Sequence, residues 1–321
     1  WNERKERTIM EDFTHILPGD KPFYKYEKDR KEKCAFLTLN RPEKRNAVPE
    51  SADEELVAAI DDWENDDNVK SVVVIGNGKH FCGGHDLGGW GGLDMTSDAP
   101  RSERRDPQRV QLTRQIVGRP RTLGRLFLSM KPTIAAVRGV CIEMGNMIQL
   151  YCDMTIASET ARIGNLGQTI GISGITTARP YISLIGQKRY REMVTTGKLV
   201  SGKEAELWGL VNRAVPDDQL EAEVMATVRR IALLPIDGIV TGKAFTALVY
   251  SEMGLVASFI EAGFGHSLGA FKLAHEEDEF HFFKTAREEG ISAAIGARNQ
   301  RYREAPISRG LIIGEEAGIG F

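Results

Sequence analysis

Two hydrophobic runs that end in loops of small residues constrain this chain more than any other feature. The first is residues 81–87 (FCGGHDL), and the second is residues 131–139 (KPTIAAVRG), which lead into a predicted helix at 143–150. Loops of this kind let two backbone N–H groups converge on one carbonyl oxygen. Such a pair stabilises the negative charge that develops when a thioester becomes an enolate or a tetrahedral anion. The sequence therefore predicts an anion-stabilising site where the two loops meet.

The composition bounds the class of protein. The chain has 321 residues, of which 41% are hydrophobic and 27% charged, and its formal net charge is −3. These values are typical of a globular protein with a full core, and they give no reason to expect nucleic acid or a membrane as partner. No apolar run approaches the roughly 18 residues of a membrane span. A charged start without an apolar signal core and four scattered cysteines predict a cytoplasmic protein with buried, reduced thiols.

Strands and helices alternate along the first two thirds of the chain. Apolar runs at 34–39, 71–76, 134–137 and 154–157 predict strands, and the continuous β-branched run at 71–76 is typical of a buried parallel strand. A helix is predicted after Ser51, since Leu56, Val57, Ile60 and Trp63 fall at helical spacing. Strands separated by helices favour an α/β fold, with ββα turns stacked around a mainly parallel sheet.

Changes in composition divide the chain into three regions. We expect an N-terminal arm at 1–22, a core at 23–235 that contains a long loop at about 88–110, and a helical C-terminal region at 236–321. Eight arginines lie between Arg101 and Arg125. They form either a solvated charged face or a group of which some members meet the phosphates of a nucleotide-like ligand.

Several short motifs in a fixed order resemble those of the enoyl-CoA hydratase/isomerase family, the crotonases. The resemblance covers roughly residues 30 to 305. It is carried by residues 39–47 (LNRPEKRNA), 84–87 (GHDL), 131–139, 152–153 (CD), 196–197 (TG), Ala205, 208–212 (WGLVN) and 288–291 (EEGI). Each motif is weak alone, but the ordered set is specific.

The resemblance implies a crotonase-like ββα spiral core with a C-terminal helical region, assembled as a homotrimer or a dimer of trimers. The apolar C-terminal residues would then pack between subunits; they include Leu255, Val256, Phe259, Phe264, Leu268 and Phe271. It also implies an acyl-CoA substrate whose thioester carbonyl lies between the backbone N–H groups of His85 and Met144. By the same resemblance the nucleotide part of CoA would lie beside Lys44, Arg45, Ala47, Gly83, Asp86 and Leu87. No metal and no cofactor other than the CoA of the substrate are expected.

The chain departs from the family at the residues that transfer protons. The first hydratase glutamate falls on Met147 and the second on Gly167, next to Gln168 in the expected substrate pocket. Neither methionine nor glycine can move a proton. Ordinary hydration, which needs two carboxylates that hold one water, is therefore not expected.

Two titratable residues flank the expected oxyanion site and are the candidate catalysts. Glu143 precedes the proposed donor Met144 in an apolar setting that would raise the pKa of a carboxyl group, and His85 titrates near working pH. Three hypotheses remain open. The chain is a non-hydratase enzyme on a CoA thioester (lyase, C–C hydrolase, decarboxylase or isomerase), a hydratase with relocated acid/base residues, or a non-catalytic acyl-CoA-binding protein.

Overall fold

The computed structural model describes residues 10–87, 108–172, 178–271 and 276–304. Its strands are β1 (Met10–Asp12), β2 (Tyr24–Asp29), β3 (Cys34–Leu39), β4 (Ser71–Gly76), β5 (Thr133–Val137), β6 (Val140–Ile142), β7 (Met154–Ser158), β8 (Arg162–Gly164), β9 (Val200–Ser201) and β10 (Arg213–Val215). Its helices are α1 (Ala52–Glu64), α2 (Gln108–Arg119), α3 (Arg125–Phe127), α4 (Met144–Tyr151), α5 (Ala178–Thr196), α6 (Gly202–Trp208), α7 (Leu220–Ala232), α8 (Ile236–Glu252), α9 (Ser258–Phe271), α10 (Phe282–Glu289) and α11 (Ile291–Glu304).

A seven-stranded sheet forms the centre of the fold in the order β1-β2-β3-β4-β5-β7-β10. In this sheet the strands β3, β4, β5, β7 and β10 are parallel to one another, and β1 and β2 add an antiparallel edge. Successive residues of β4 point to opposite faces, so Val72 and Val74 pack towards α1 and α4 whereas Val73 and Ile75 pack towards α7. All six residues of β4 are buried, as its continuous β-branched sequence predicts.

A second, three-stranded sheet stands beside the first in the order β6-β8-β9. Strand β6 follows β5 directly, and β8 follows β7 after a short turn, so each chain segment leaves one sheet and enters the other. This two-sheet arrangement with intervening helices is the predicted ββα spiral. The four predicted strands and the helix after Ser51 are all present in it.

Residues 10–22, which the sequence analysis assigned to an arm, are part of the fold. Met10 pairs with Asp29 at the edge of the large sheet, and Leu17 is buried in the main core. The sequence did not predict strand β1, because an edge strand of three residues is too short to show a periodic pattern. Most of the long loop predicted at about 88–110 lies outside the described residues; helix α2 begins at Gln108.

The C-terminal half is helical, as predicted. Between residues 236 and 271 it forms two helices, α8 and α9, because the chain turns at Gly254, whose φ of +73° favours glycine. Helix α9 packs along α2: a Cβ on Gly263 would lie 2.7 Å from the carbonyl oxygen of Gln115. Within the described ranges no single helix has the length and apolarity to cross a bilayer; one pair, 217–232 with 236–252, meets both criteria only jointly and is bent by 103°.

The close approach of β4 to the loop that follows it predicts a strong effect of one methyl group. In Gly76→Ala the new Cβ would lie 2.2 Å from the His80 carbonyl oxygen and 2.4 Å from that of Phe81. The backbone must shift to accept it, so we expect the free energy of unfolding to fall by about 1–3 kcal/mol in urea denaturation. Gly296→Ala is the control, because the described structure places no atom within 4 Å of its Cβ. That variant should be as stable as wild type or more so, by up to about 1 kcal/mol.

Candidate active site

The two small-residue loops are joined through their backbones. Cys82 and Cys141 are paired in an isolated backbone β-bridge. The Cys82 N–H donates to the Val140 carbonyl at 3.0 Å, and the Cys82 carbonyl accepts the Ile142 N–H at 3.1 Å. Gly145 then lies so close that a Cβ there would be 2.5 Å from Cys82 Cβ. The loop at 81–87 is therefore held directly against the start of helix α4, as the sequence predicts.

The direction of the His85 N–H follows from a second backbone bridge. Val48 donates to the Gly84 carbonyl at 2.8 Å and accepts the Asp86 N–H at 2.9 Å. Because N–H groups alternate in direction along an extended chain, the His85 N–H points away from Val48.

The second predicted donor, Met144, is the first residue of α4. The first N–H groups of a helix lack acceptors within the helix, and the helix dipole makes them favourable partners for an anion. Within the described part of the chain, no acceptor takes the Met144 N–H. This N–H is therefore available to a carbonyl oxygen.

The residues predicted to meet CoA lie together beside this loop. Gly83 donates to the Arg45 carbonyl at 2.8 Å, and Ala47 donates to the Lys44 carbonyl at 3.0 Å. Asp86 forms an ion pair with Arg41 at 2.6 Å and lies 3.7 Å from Lys44. The sixth residue, Leu87, packs against the hydrophobic cluster of α10 and α11.

Asn46 connects this segment to the loop. It is fully buried, and its side-chain amide donates to the carbonyl groups of Asn77, His80 and Phe81 at 2.9–3.2 Å. One side chain thus holds three carbonyls of the chain that leads into the oxyanion loop, which explains why the motif at 39–47 carries an asparagine at that position.

A cavity of about 480 Å³ contains both predicted oxyanion residues. His85 and Met144 lie in its wall, opposite α1 and the segment from α2 to Leu123. The volume falls in the range of small-molecule sites. The remaining wall residues are Val48, Pro49, Glu50, Asp53, Glu54, Val57, Asp86, Thr113, Gln115, Val117, Gly118, Arg119, Arg121, Thr122 and Leu123.

Glu143 has a backbone conformation that favours glycine, with φ +50° and ψ −116°. A non-glycine residue in such a region costs about 1–3 kcal/mol and persists only where its surroundings hold it. Here the carboxylate accepts the backbone N–H of Leu166, and the nearby N–H of Gly167 also favours its charged form. Burial outweighs these interactions and raises the pKa of Glu143 to about 7. The carboxylate is thus poised to titrate near neutrality, although Glu143 is not part of the cavity wall.

His85 lies in the cavity wall and is held neutral. Burial, helped by the nearby positive charge of Arg119, lowers the pKa of His85 to about 4. At neutral pH its imidazole is uncharged and only weakly basic. Of the two candidate catalysts, only Glu143 therefore has a pKa that matches general acid–base work near pH 7.

The three residues predicted to line the substrate pocket, Met147, Gly167 and Gln168, are not in the wall of this cavity. Met147 is buried behind it and its sulfur accepts the Arg119 guanidinium at 3.5 Å. Gly167 begins a 3₁₀ turn and Gln168 follows it, partly exposed. Gly167 instead follows Leu166, whose N–H donates to the Glu143 carboxylate, and its own N–H donates to Asn165 Oδ1 at 3.0 Å.

Sequence reasoning missed two charged residues of the cavity. Burial raises the pKa of Asp53 to about 6, and Arg119 lowers it in turn by its charge. Asp53 is one of several acids near the start of α1, and Arg119 is one of eight arginines in a run, so the sequence did not distinguish either residue. Only the tertiary structure shows that both line the same cavity.

The comparisons with known proteins agree with this architecture. The family model for enoyl-CoA hydratase/isomerase matches residues 29–252. The chain is 32% identical over 198 residues to mevalonyl-coenzyme A hydratase sidH of Aspergillus fumigatus, over 61% of this chain and 68% of that protein. An enoyl-CoA hydratase/isomerase from Xanthobacter autotrophicus Py2 superposes with a TM-score of 0.74 and 30% identity, covering 89% of this chain and 99% of that one. For an enoyl-CoA hydratase from Mycobacterium smegmatis the TM-score is 0.75 at 26% identity, over 88% and 96% of the two chains.

The fold and the paired loops thus define a protein of the crotonase class. This chain belongs to the enoyl-CoA hydratase/isomerase family, and an acyl-CoA thioester is the ligand consistent with that family.

The opposite pKa shifts of Glu143 and His85 predict opposite effects of pH on stability. The Glu143 pKa is raised from 4.5 to about 7, so between these values the unfolded chain has lost a proton that the folded chain keeps. Its contribution to the free energy of unfolding falls as pH rises through that window. The His85 pKa is lowered from 6.5 to about 4, so its contribution falls as pH drops from 6.5 to 4.

Urea denaturation of wild type, Glu143→Gln and His85→Asn at pH values from 4 to 8 measures both effects. The stability of wild type relative to Glu143→Gln should fall from about pH 4.5 to about pH 7. The stability of wild type relative to His85→Asn should rise from about pH 4 to about pH 6.5. Differences that do not vary with pH would show that neither residue has the shifted pKa.

Proposed function

We propose that this protein is an enzyme that acts on a CoA thioester by a route other than ordinary hydration. One observation carries the proposal: Met144 and His85 line the same cavity. The positions that the sequence analysis assigns to the two family glutamates hold Met147 and Gly167, which cannot transfer a proton. The pair of N–H groups would stabilise an enolate or a tetrahedral anion on the thioester. The reaction classes that use such an anion without two carboxylates on water are C–C cleavage by a lyase or hydrolase, decarboxylation and isomerisation.

A hydratase with relocated acid/base groups is the second candidate, and the position of Glu143 favours it. The Glu143 carboxylate accepts the N–H of Leu166, the neighbour of Gly167, which occupies the position of the second family glutamate. A carboxyl group with a pKa of about 7 is therefore supplied to that region from a different place in the chain. Two sequence relatives carry hydratase activity in their names, on an enoyl-CoA and on mevalonyl-CoA.

Steady-state assays with crotonyl-CoA and with 3-oxo- and malonyl-type CoA esters test these hypotheses. Under the first, crotonyl-CoA hydration is slow or absent, because each missing acid/base group is worth about 10²–10⁴-fold in rate. If Glu143 is the acid/base residue, Glu143→Gln should lower turnover of the best substrate by about 10²-fold or more with little change in binding. Glu206→Gln, which alters an exposed glutamate on α6, is the matched control and should keep wild-type turnover.

The other outcomes separate the alternatives. Efficient crotonyl-CoA hydration that disappears in Glu143→Gln would replace the first hypothesis by the second. Full turnover in both Glu143→Gln and His85→Asn would refute the catalytic assignment of both residues. Acyl-CoA binding without turnover of any ester would indicate a binding protein.

We also propose that the protein assembles as a homotrimer or a dimer of trimers through α8 and α9. Apolar side chains that are at least half exposed in the single chain lie on these helices; they are Phe245, Leu248, Val249, Met253, Ile260 and Phe264. Of the residues that suggested this interface in the sequence, Leu255 and Phe259 instead pack inside their own chain, where Phe259 contacts Phe127 and Tyr151. Burial of the exposed face against another subunit would remove it from water.

Sedimentation at micromolar concentration tests this assembly. Wild type should sediment as a trimer or hexamer, and the pair Phe245→Glu with Leu248→Glu should sediment as a monomer, because two charges cannot be buried unpaired at an apolar interface. Leu207→Glu, at an 80% exposed residue of α6, is the control and should leave the assembly intact. A monomeric wild type would disprove the proposed assembly.

A further inference from the structure

The cavity contains a cation, Arg119, whose hydrogen-bond partners among the described residues are uncharged. Arg119 closes helix α2; its Nε donates to the side chain of Gln115 at 2.8 Å, and one terminal nitrogen contacts Met147 Sδ at 3.5 Å. No ion pair joins Arg119 to a carboxylate among the residues that the structure describes. The next two arginines along the chain are paired, Arg121 with Glu54 at 3.2 Å and Arg125 with Asp61 at 2.7 Å.

An arginine in this setting is costly to the folded protein. Burial lowers the pKa of Arg119, which means that its surroundings disfavour the charge that it nevertheless carries. Methionine sulfur is a weak acceptor, so it offsets little of the lost hydration. Removing a guanidinium of this kind should not destabilise the ligand-free protein, in contrast to an arginine with a structural role.

The place of Arg119 relative to the proposed oxyanion site indicates what it would bind. Its contact Met147 follows Met144 by three residues on α4, which is just under one helical turn and about 4.5 Å along the axis. A thioester carbonyl held at the Met144 N–H would therefore have its acyl chain near the guanidinium after a few carbon atoms. Arginine binds carboxylates through two parallel hydrogen bonds, which fixes orientation as well as charge.

We infer that Arg119 selects acyl-CoA substrates whose short acyl group ends in a carboxylate. This inference rests on the proposed function, since it needs the thioester at the oxyanion site. Arg119 would thus be a specificity-determining residue beside Met147, and a substrate carboxylate would pair with a guanidinium that makes no ion pair with the described residues.

Asp53 sets a second condition on this site. It lies in the same cavity and within the electrostatic reach of Arg119, yet it makes no ion pair with it in the described structure. Its carboxylate would repel a substrate carboxylate bound at Arg119. Loss of the Asp53 charge should therefore strengthen, and loss of the Arg119 charge weaken, the binding of the same ligand.

Calorimetric titration with matched pairs of CoA esters tests the inference. Butyryl-CoA and succinyl-CoA have four acyl carbons, and pentanoyl-CoA and glutaryl-CoA have five, so each pair differs only in the terminal carboxylate. Wild type should prefer the carboxylate ester in at least one pair. Arg119→Gln should weaken binding of that ester by about 10- to 100-fold, the scale of a charged hydrogen bond, and change the neutral ester less than about twofold.

Two variants act as controls. Arg125→Gln removes an arginine of the same segment that pairs with Asp61 outside the cavity, and it should leave all four affinities unchanged. Asp53→Asn should tighten binding of the carboxylate ester. Urea denaturation of Arg119→Gln without ligand should show wild-type stability or more, which a structural arginine would not.

The outcomes distinguish the inference from the function on which it rests. Failure of all four esters to bind would refute the ligand class itself. Equal binding of neutral and carboxylate esters in wild type, or a loss in Arg119→Gln that is the same for both, would refute the role of Arg119 and leave the proposed function standing.

Discussion

The backbone β-bridge that pairs Cys82 with Cys141 is the contact on which the rest of the site depends. The Cys82 N–H donates to the Val140 carbonyl and the Cys82 carbonyl accepts the Ile142 N–H, and Gly145 packs directly on Cys82. The bridge joins two chain segments almost sixty residues apart and sets the distance between His85 and the first N–H of α4. Because backbone groups carry the proposed anion stabilisation, the side chains at these positions are free to change, and His85 and Met144 occupy them without loss of the geometry.

The side chain is less free to change at Glu143, because the backbone there has a positive φ. Its positive φ keeps the chain on the path that leads into α4, a conformation that glycine would adopt without strain. The carboxylate is anchored by the N–H of Leu166, so the side chain offsets part of the strain that it causes. A residue that is strained, buried and poised to titrate near pH 7 is of a kind that clusters at functional sites. The same contacts hold its carboxylate outside the wall of the cavity that contains His85 and Met144.

The cavity itself depends on longer-range packing. Helix α9 supports α2 through the close contact at Gly263, and α2 ends in Arg119, which reaches Met147 on α4. Met147, at the position that the sequence analysis assigns to the first family glutamate, and Arg119 are thus in contact with each other.

Local sequence patterns were sufficient to predict many of the strands, helices and loops of this protein. The β-branched run of β4, the helical spacing of Leu56, Ile60 and Trp63, and the small-residue loops at 81–87 and 139–145 determined the sheet, the first helix and the two oxyanion segments, because each signal is contained in a few consecutive residues. The ordered family motifs then indicated the fold. The three-residue strand β1 and the break at Gly254 were not predicted, because neither is marked by a periodic pattern in the sequence.

Only the tertiary structure decided which charges share the site. Asp53 and Arg119 are 66 positions apart, and nothing in the sequence of either segment separates Arg119 from the paired Arg121 and Arg125. The pKa values of Glu143 and His85 likewise follow from burial and from contacts with Leu166, Gly167 and Arg119 that the fold assembles. Sequence determines the periodic elements because their forces act locally, whereas the chemistry of the site depends on desolvation and charge between distant segments, which exist only once the chain is packed.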